Sequence, residues 1–336
     1  MLEGVLLAVL AGVLLGLYAL PEKFTKGFKF ENTWGLFFLI NMLIVPFIAM
    51  AMLMNGPSEI LAAVPSDVLL KMAFASVLWG IGVMLWGKAI NYIGLSLGFS
   101  LFIGTVILIG SLLPFMVEGL PPSNVFMTIL VGILVVLIGV MANGKAGLLR
   151  QKDEKAGQES LEGSSMLTGI FIAVGGGVLA TGFSYANAVG RPIIHHASQM
   201  AGNAEWVTAL AVMCVIYVCG GIPITIYFLY QLSKNKQWTS FRTSHLGPNV
   251  LLISIMAVFN FAASILFAFA AFKLGSSGNT VGYAIFNTVC VAVAILSGIF
   301  TGEWNRAGAG AKKFLYAGLA FMIIGVVIIA LGNGLA

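Results

Sequence analysis

The chain has 336 residues, of which 60% are hydrophobic and only 9% charged, with a net excess of five basic charges. A soluble domain is usually about a quarter charged, so too little polar surface remains to coat a water-soluble globule, and lipid must solvate much of the chain. The basic residues fall in short stretches between apolar runs, which points to orientation in a membrane rather than to nucleic acid.

A spanning helix needs about 20 mostly apolar residues. Ten such runs are predicted, at 2–20, 32–54, 68–87, 95–117, 124–142, 166–188, 205–231, 248–272, 279–301 and 312–334. Transmembrane strands are excluded, because they would be about ten residues long and alternate in polarity. The first run has no basic residue before it, and Lys23, Lys26 and Lys29 follow it. A secretory signal has the opposite polarity, so the run reads as a retained helix with its N-terminus outside. Asn41 lies midway along the second run. Trp79 is central in the third, which carries Trp86 near its inner end and is followed by Lys88 and Asn91. Thr105 is central in the fourth run, Tyr217 in the seventh, and Asn260 in the eighth, which ends at Lys273; the ninth carries Asn287 and Thr288 and leads to Glu303. Cys214, Cys219 and Cys290 all sit in apolar runs without metal-ligand spacing and read as packing residues.

With the N-terminus outside, fourteen of the 17 Lys and Arg residues fall on the cytoplasmic side, leaving Lys71, Arg191 and Lys273 outside. The positive-inside rule then sets both termini outside. The stretch 143–165 concentrates charge and reads as a cytoplasmic linker between two five-helix units, 1–142 and 166–336. The units resemble each other. Gly4, Ala8 and Gly12 recur as Gly169, Ala173 and Gly177. The segment Ala89 to Gly94 recurs as Ala270 to Gly275, and Ser111 before Glu118 recurs as Ser297 before Glu303. An odd number of helices per unit inverts the second copy, an arrangement of secondary transporters with the solute site near mid-membrane.

Polar side chains at mid-bilayer are costly without a partner or a wet cavity. Asn41, Asn260, Asn287 and Thr105 therefore stand out as candidate solute ligands, with Asn91 as a weaker one at the cytoplasmic end. Amides exchange hydrogen bonds with hydroxyls, and the Trp79 indole offers a flat face to a sugar ring; interhelical bonding is the plainer role for each. Tyr18 and Tyr185 fall at corresponding places in helices one and six and are candidate gating groups. Lys88, Lys273 and Glu303 are candidate gate or coupling charges, since no carboxylate sits at the middle of a run. His195, His196 and Glu205 are placed in an outer loop, with no metal-ligand set. No nucleophile–base constellation, nucleotide-binding loop or cofactor motif is present, so no enzyme activity or cofactor is expected and transport would be driven by a gradient.

Several segments together resemble the L-rhamnose/proton symporter family of the drug/metabolite transporter superfamily. They are Leu17 to Lys23, Leu78 to Gly82, Gly94 to Gly98 leading to Thr105, Asn249 to Leu252, and Glu303-Trp304-Asn305-Arg306-Ala307-Gly308. The resemblance implies ten helices in two inverted halves and uptake of a 6-deoxyhexose with a proton across a bacterial inner membrane. The sequence departs from the family pattern at Val83 and Leu85, where the family carries asparagines. It departs again in helix eight, where Asn260 and Ala263 replace a Trp and a Gln. Sodium as the coupling ion, and export of another small metabolite or drug, remain the alternatives.

Overall fold

The computed structural model describes residues 2–154, 163–275, 278–302 and 304–333. The described residues are helical and contain ten helices long and apolar enough to cross a membrane. They are α1 (Leu2–Phe24), α2 (Phe30–Leu53), α3 (Ser66–Ile90), α4 (Leu97–Glu118), α5 (Ser123–Arg150), α6 (Met166–Met200), α7 (Glu205–Lys234), α8 (Leu246–Lys273), α9 (Gly278–Phe300) and α10 (Ala309–Gly332). Helices are the expected form, because hydrocarbon offers no partner to a backbone N–H or C=O.

Two boundaries differ from the sequence reading. Helix six does not stop near 188 but resumes after a break at Thr181 and runs to Met200. Arg191, His195 and His196 are thus helical residues rather than loop residues. Their polarity ends the apolar run without ending the helix. Helix five also continues, to Glu154, beyond the apolar segment.

Helices α3 and α4 form a tight hairpin: a β-carbon added at Gly98 would lie 3.7 Å from the Cα of Ile90. Small residues let backbones approach closely where lipid supplies no hydrophobic force between helices. The main contacts pair α1 with α8 and α9, α6 with the α3–α4 hairpin, and α5 with α10. Gly80 of α3 lies against the backbone of Gly220 of α7, and a β-carbon at Gly220 would meet the Trp79 ring at 2.6 Å. These contacts bring Trp79 onto the face of α7.

Helix α2 is interrupted by a π turn at Ile40–Ile44, which ends two residues before Pro46. Proline cannot donate to the carbonyl four residues earlier, and π turns are frequent at functional positions. The largest apolar core lies around Tyr217, Phe261, Phe267, Phe183 and Met42.

Candidate functional site

Three of the sequence-predicted residues meet at one place. The Asn41 Nδ2 on the π turn of α2 donates to Asn260 Oδ1 of α8 at 2.9 Å. The Tyr217 hydroxyl of α7 donates to the same Oδ1 at 2.9 Å and lies 2.5 Å from Ser264 Oγ. Trp79 of α3 packs on the Tyr217 ring with centroids 5.3 Å apart, and on Phe183 of α6 at 5.1 Å. Five helices thus contribute to one polar centre with aromatic walls. Asn41, Tyr217 and Ser264 are each no more than 2% exposed. Asn41 Oδ1 is buried with no hydrogen-bond partner among the described residues, so an acceptor is left over at the centre.

Tyr217 is the hub, although helical position alone marks it only as central and polar. Ser264 is the residue that sequence reasoning missed. It sits four residues after Asn260, hence on the same helical face, and that spacing was its available signal.

The other predicted ligands are not drawn into this cluster by hydrogen bonds. Asn287 donates to the Tyr283 carbonyl of its own helix at 2.9 Å, and the Thr105 hydroxyl donates to the Leu101 carbonyl at 2.7 Å. Thr105 serves packing instead: a β-carbon at Gly177 of α6 would meet its Cβ at 2.7 Å. The side chain of Asn91 and the whole of Glu303 lie outside the described residues.

The predicted gate groups divide. Tyr18 joins an aromatic cluster at the end of the bundle that carries the α1–α2 connection. It sits edge-on to Trp34 and tilted on Phe37, and Phe38 stacks on Phe228 at 5.4 Å. The Trp34 indole N–H donates to Glu22 Oε1 at 2.7 Å. Asn249 and the Lys26 backbone exchange two hydrogen bonds at 3.0 and 2.8 Å, tying the α1–α2 connection to α8. Tyr185 is half-buried at the edge of the main core. Lys88 is exposed. Lys273 pairs with Glu205 at 2.7 Å on the opposite face, a partly exposed bridge.

That opposite face holds a cluster that the sequence did not reveal. Arg191 of α6 pairs with Glu118 Oε1 at the end of α4 at 3.0 Å, both side chains largely buried. Asn279 of α9 donates to the same Glu118 oxygen, and Asn187 of α6 donates to Asn279 Oδ1. Placing Arg191 in a loop hid this pair. His195 also contacts its neighbours, with Nδ1 3.1 Å from Thr208 Oγ1 and its ring on Phe272. Among the described residues no group of three or more His, Cys, Asp or Glu is placed to hold a metal ion.

The ten apolar helices surround a buried polar centre, and comparison with known proteins identifies the family. The family described as L-rhamnose-proton symport protein (RhaT) matches residues 2–335. An L-rhamnose-proton symporter of Escherichia coli is 26% identical over 323 residues, covering 93% of this chain and 92% of the relative. Those of Shigella boydii and Citrobacter koseri show the same identity and coverage. The family is one of transporters, not enzymes. With nearly every residue inside the matched span, the chain belongs to the L-rhamnose-proton symport family.

Proposed function

We propose that this chain imports L-rhamnose or a related 6-deoxyhexose together with a proton, by alternating access in a bacterial cytoplasmic membrane. Membership of the symport family over residues 2–335 carries this reading. The sugar site is the cluster of Asn41, Asn260, Tyr217 and Ser264 beneath Trp79. Its unpartnered Asn41 Oδ1 suits a donating sugar hydroxyl, and the Trp79 ring suits the apolar face of a 6-deoxy sugar.

Two inverted units, 1–142 and 166–336 joined by 143–165, supply the two conformations, as in the drug/metabolite transporter superfamily. Matching contacts support this. Gly4 of α1 lies on Leu274, and Gly169 of α6 lies on Ile93. Gly12 lies on Phe286 and Val289, and Gly177 on Phe102 and Thr105. The pattern repeats between α5 and α10. Gly132 meets Gly325 and Ile329, while Gly318 is met by Gly139 and Asn143. Each contact made by one unit thus has a counterpart in the other, as a two-fold axis in the membrane plane would give. The charge distribution supports termini on the outer side. Nothing in the comparisons favours an exporter.

Uptake of radiolabelled L-rhamnose into proteoliposomes tests the reading. Accumulation driven by an inward proton gradient, and unaffected by sodium, is the expected result. Folded protein that fails to take up L-rhamnose under that gradient refutes it.

A further inference from the structure

We propose that Glu118, Arg191, Asn279 and Asn187 form a latch that closes one mouth of the transporter and is opened when Glu118 takes up a proton from that side. The proposal rests on the transporter reading above, but not on which sugar is carried.

The cluster adds polar bonds to a packed junction, since α9 also meets the hairpin where Gly110 of α4 lies against the Tyr283 ring. Glu118 lies on α4 and Arg191 on α6, and these helices pack together. Asn279 lies at the start of α9, which packs with α1. The bonds from Asn279 to Glu118 and from Asn187 to Asn279 therefore tie α9 to the α4–α6 pair at the mouth. Asn187 and Asn279 are both fully buried. Opening that mouth requires these bonds to part.

The pairing inside the latch is incomplete. Arg191 Nη2 and Asn279 Nδ2 both converge on Glu118 Oε1. Glu118 Oε2, Arg191 Nη1 and Asn187 Oδ1 are buried with no hydrogen-bond partner among the described residues. A proton placed on Oε2 would break no existing bond, but it would cancel the charge that holds the guanidinium in place. An unpaired buried guanidinium is strongly disfavoured, so Arg191 would turn toward water, and Asn279 would keep only a weaker bond to a neutral carboxyl in place of a carboxylate.

The surrounding charges are few. Arg191 is the one ionic partner of Glu118 among the described contacts. Glu205 of α7 borders the small cavity beside Arg191 and is held by Lys273 of α8, with Glu3 of α1 within electrostatic reach of that lysine. His195 of α6 is engaged by Thr208. On α3, Asp67 and Lys71 pair with each other at the surface.

The test places a reporter thiol behind the latch. Ala209 is buried and lines the small cavity with Arg191 and Asn187. Ala209→Cys is made in a full-length chain whose three native cysteines are replaced by alanine, and labelled with a membrane-impermeant maleimide in right-side-out and in inverted vesicles. From the latch side, labelling is expected to be slow at neutral pH and to rise by up to about tenfold per pH unit on acidification, once corrected for the reagent's own pH dependence. Glu118→Gln should label fast at every pH. Asn279→Ala, which leaves the ion pair in place, should also label fast, so the proposal stays testable if Glu118→Gln folds poorly. His195→Gln should behave like the parent. Parental labelling in both Glu118→Gln and Asn279→Ala, or a pH dependence that disappears with His195→Gln, overturns the latch. The readout needs no sugar, so a parent that labels as expected yet fails to carry L-rhamnose would refute the substrate reading alone.

Discussion

The central cluster invites a perturbation that separates a strut from a binding site. Asn260→Leu removes the oxygen that accepts from both Asn41 and Tyr217. Tyr217 keeps Ser264 at 2.5 Å, but Asn41 loses its partner while its own Oδ1 already lacks one. An unsatisfied buried donor costs about 1–3 kcal/mol, and interhelical bonds within membranes average about 0.6 with a maximum near 1.7 kcal/mol. A loss of about 1–2 kcal/mol is therefore expected. Asn41→Leu should cost less, because Asn260 Oδ1 retains Tyr217. The double variant Asn41→Leu, Asn260→Leu leaves no stranded amide and should recover most of the stability, since replacing both partners of a buried bond is nearly neutral. Denaturation in detergent measures these differences, and L-rhamnose uptake is measured alongside. Restored stability with uptake at background is the expected result for a sugar site. A double variant that carries the sugar with parental KM and rate would show the cluster to be only a strut.

Other outcomes follow from the packing. Gly80→Ala should destabilise the protein by about 1–3 kcal/mol, the usual range for overpacking, because its methyl group would collide with the Gly220 backbone; thermal unfolding measures it. Gly12→Ala and Gly177→Ala each press on a neighbouring helix, and under the proposed inverted repeat thiol-labelling profiles should show the two biasing the transporter toward opposite faces. Trp34→Phe removes the indole bond to Glu22 and should raise maleimide labelling of Cys290, whose backbone lies against Gly16 beside the Tyr18 cluster. Lys273→Ala should change stability by less than about 1 kcal/mol, because its bridge to Glu205 is partly exposed. A larger loss in unfolding experiments would mean that the pair supports more than a surface contact.

The ten spans could be read from the sequence because each apolar run exceeds what a soluble helix needs, and hydrocarbon permits few other forms. Asn41, Asn260 and Trp79 were also legible, since an amide or indole at mid-span must find a partner. Which partner it finds depends on how helices rotate against one another. Asn287 and Thr105 looked equivalent to Asn260 by position, yet both bond to their own backbones. Arg191 was illegible for a different reason. A charged residue lowers local hydropathy and so imitates a loop, and its partner Glu118 is 73 residues away in the chain. Only the meeting of α4 with α6 makes a buried arginine affordable.

The extra residue in the π turn of α2 alters which side of that helix faces inward. Before it, the buried row runs through Thr33, Phe37 and Asn41 in steps of four; after it, the row restarts one residue later with Met42 and Pro46 and continues to half-buried Met50. An uninterrupted α-helix would carry the row from Asn41 toward Val45 and Ala49, turning Pro46 away from the interior. The helix advances about 100° per residue, so the inserted residue re-aims the whole C-terminal half of α2 by about that angle relative to the N-terminal half. The aromatic cluster around Trp34 and Phe37 and the packing surface after Met42 can thereby share one helix while each faces its own neighbours, with Asn41 at the seam.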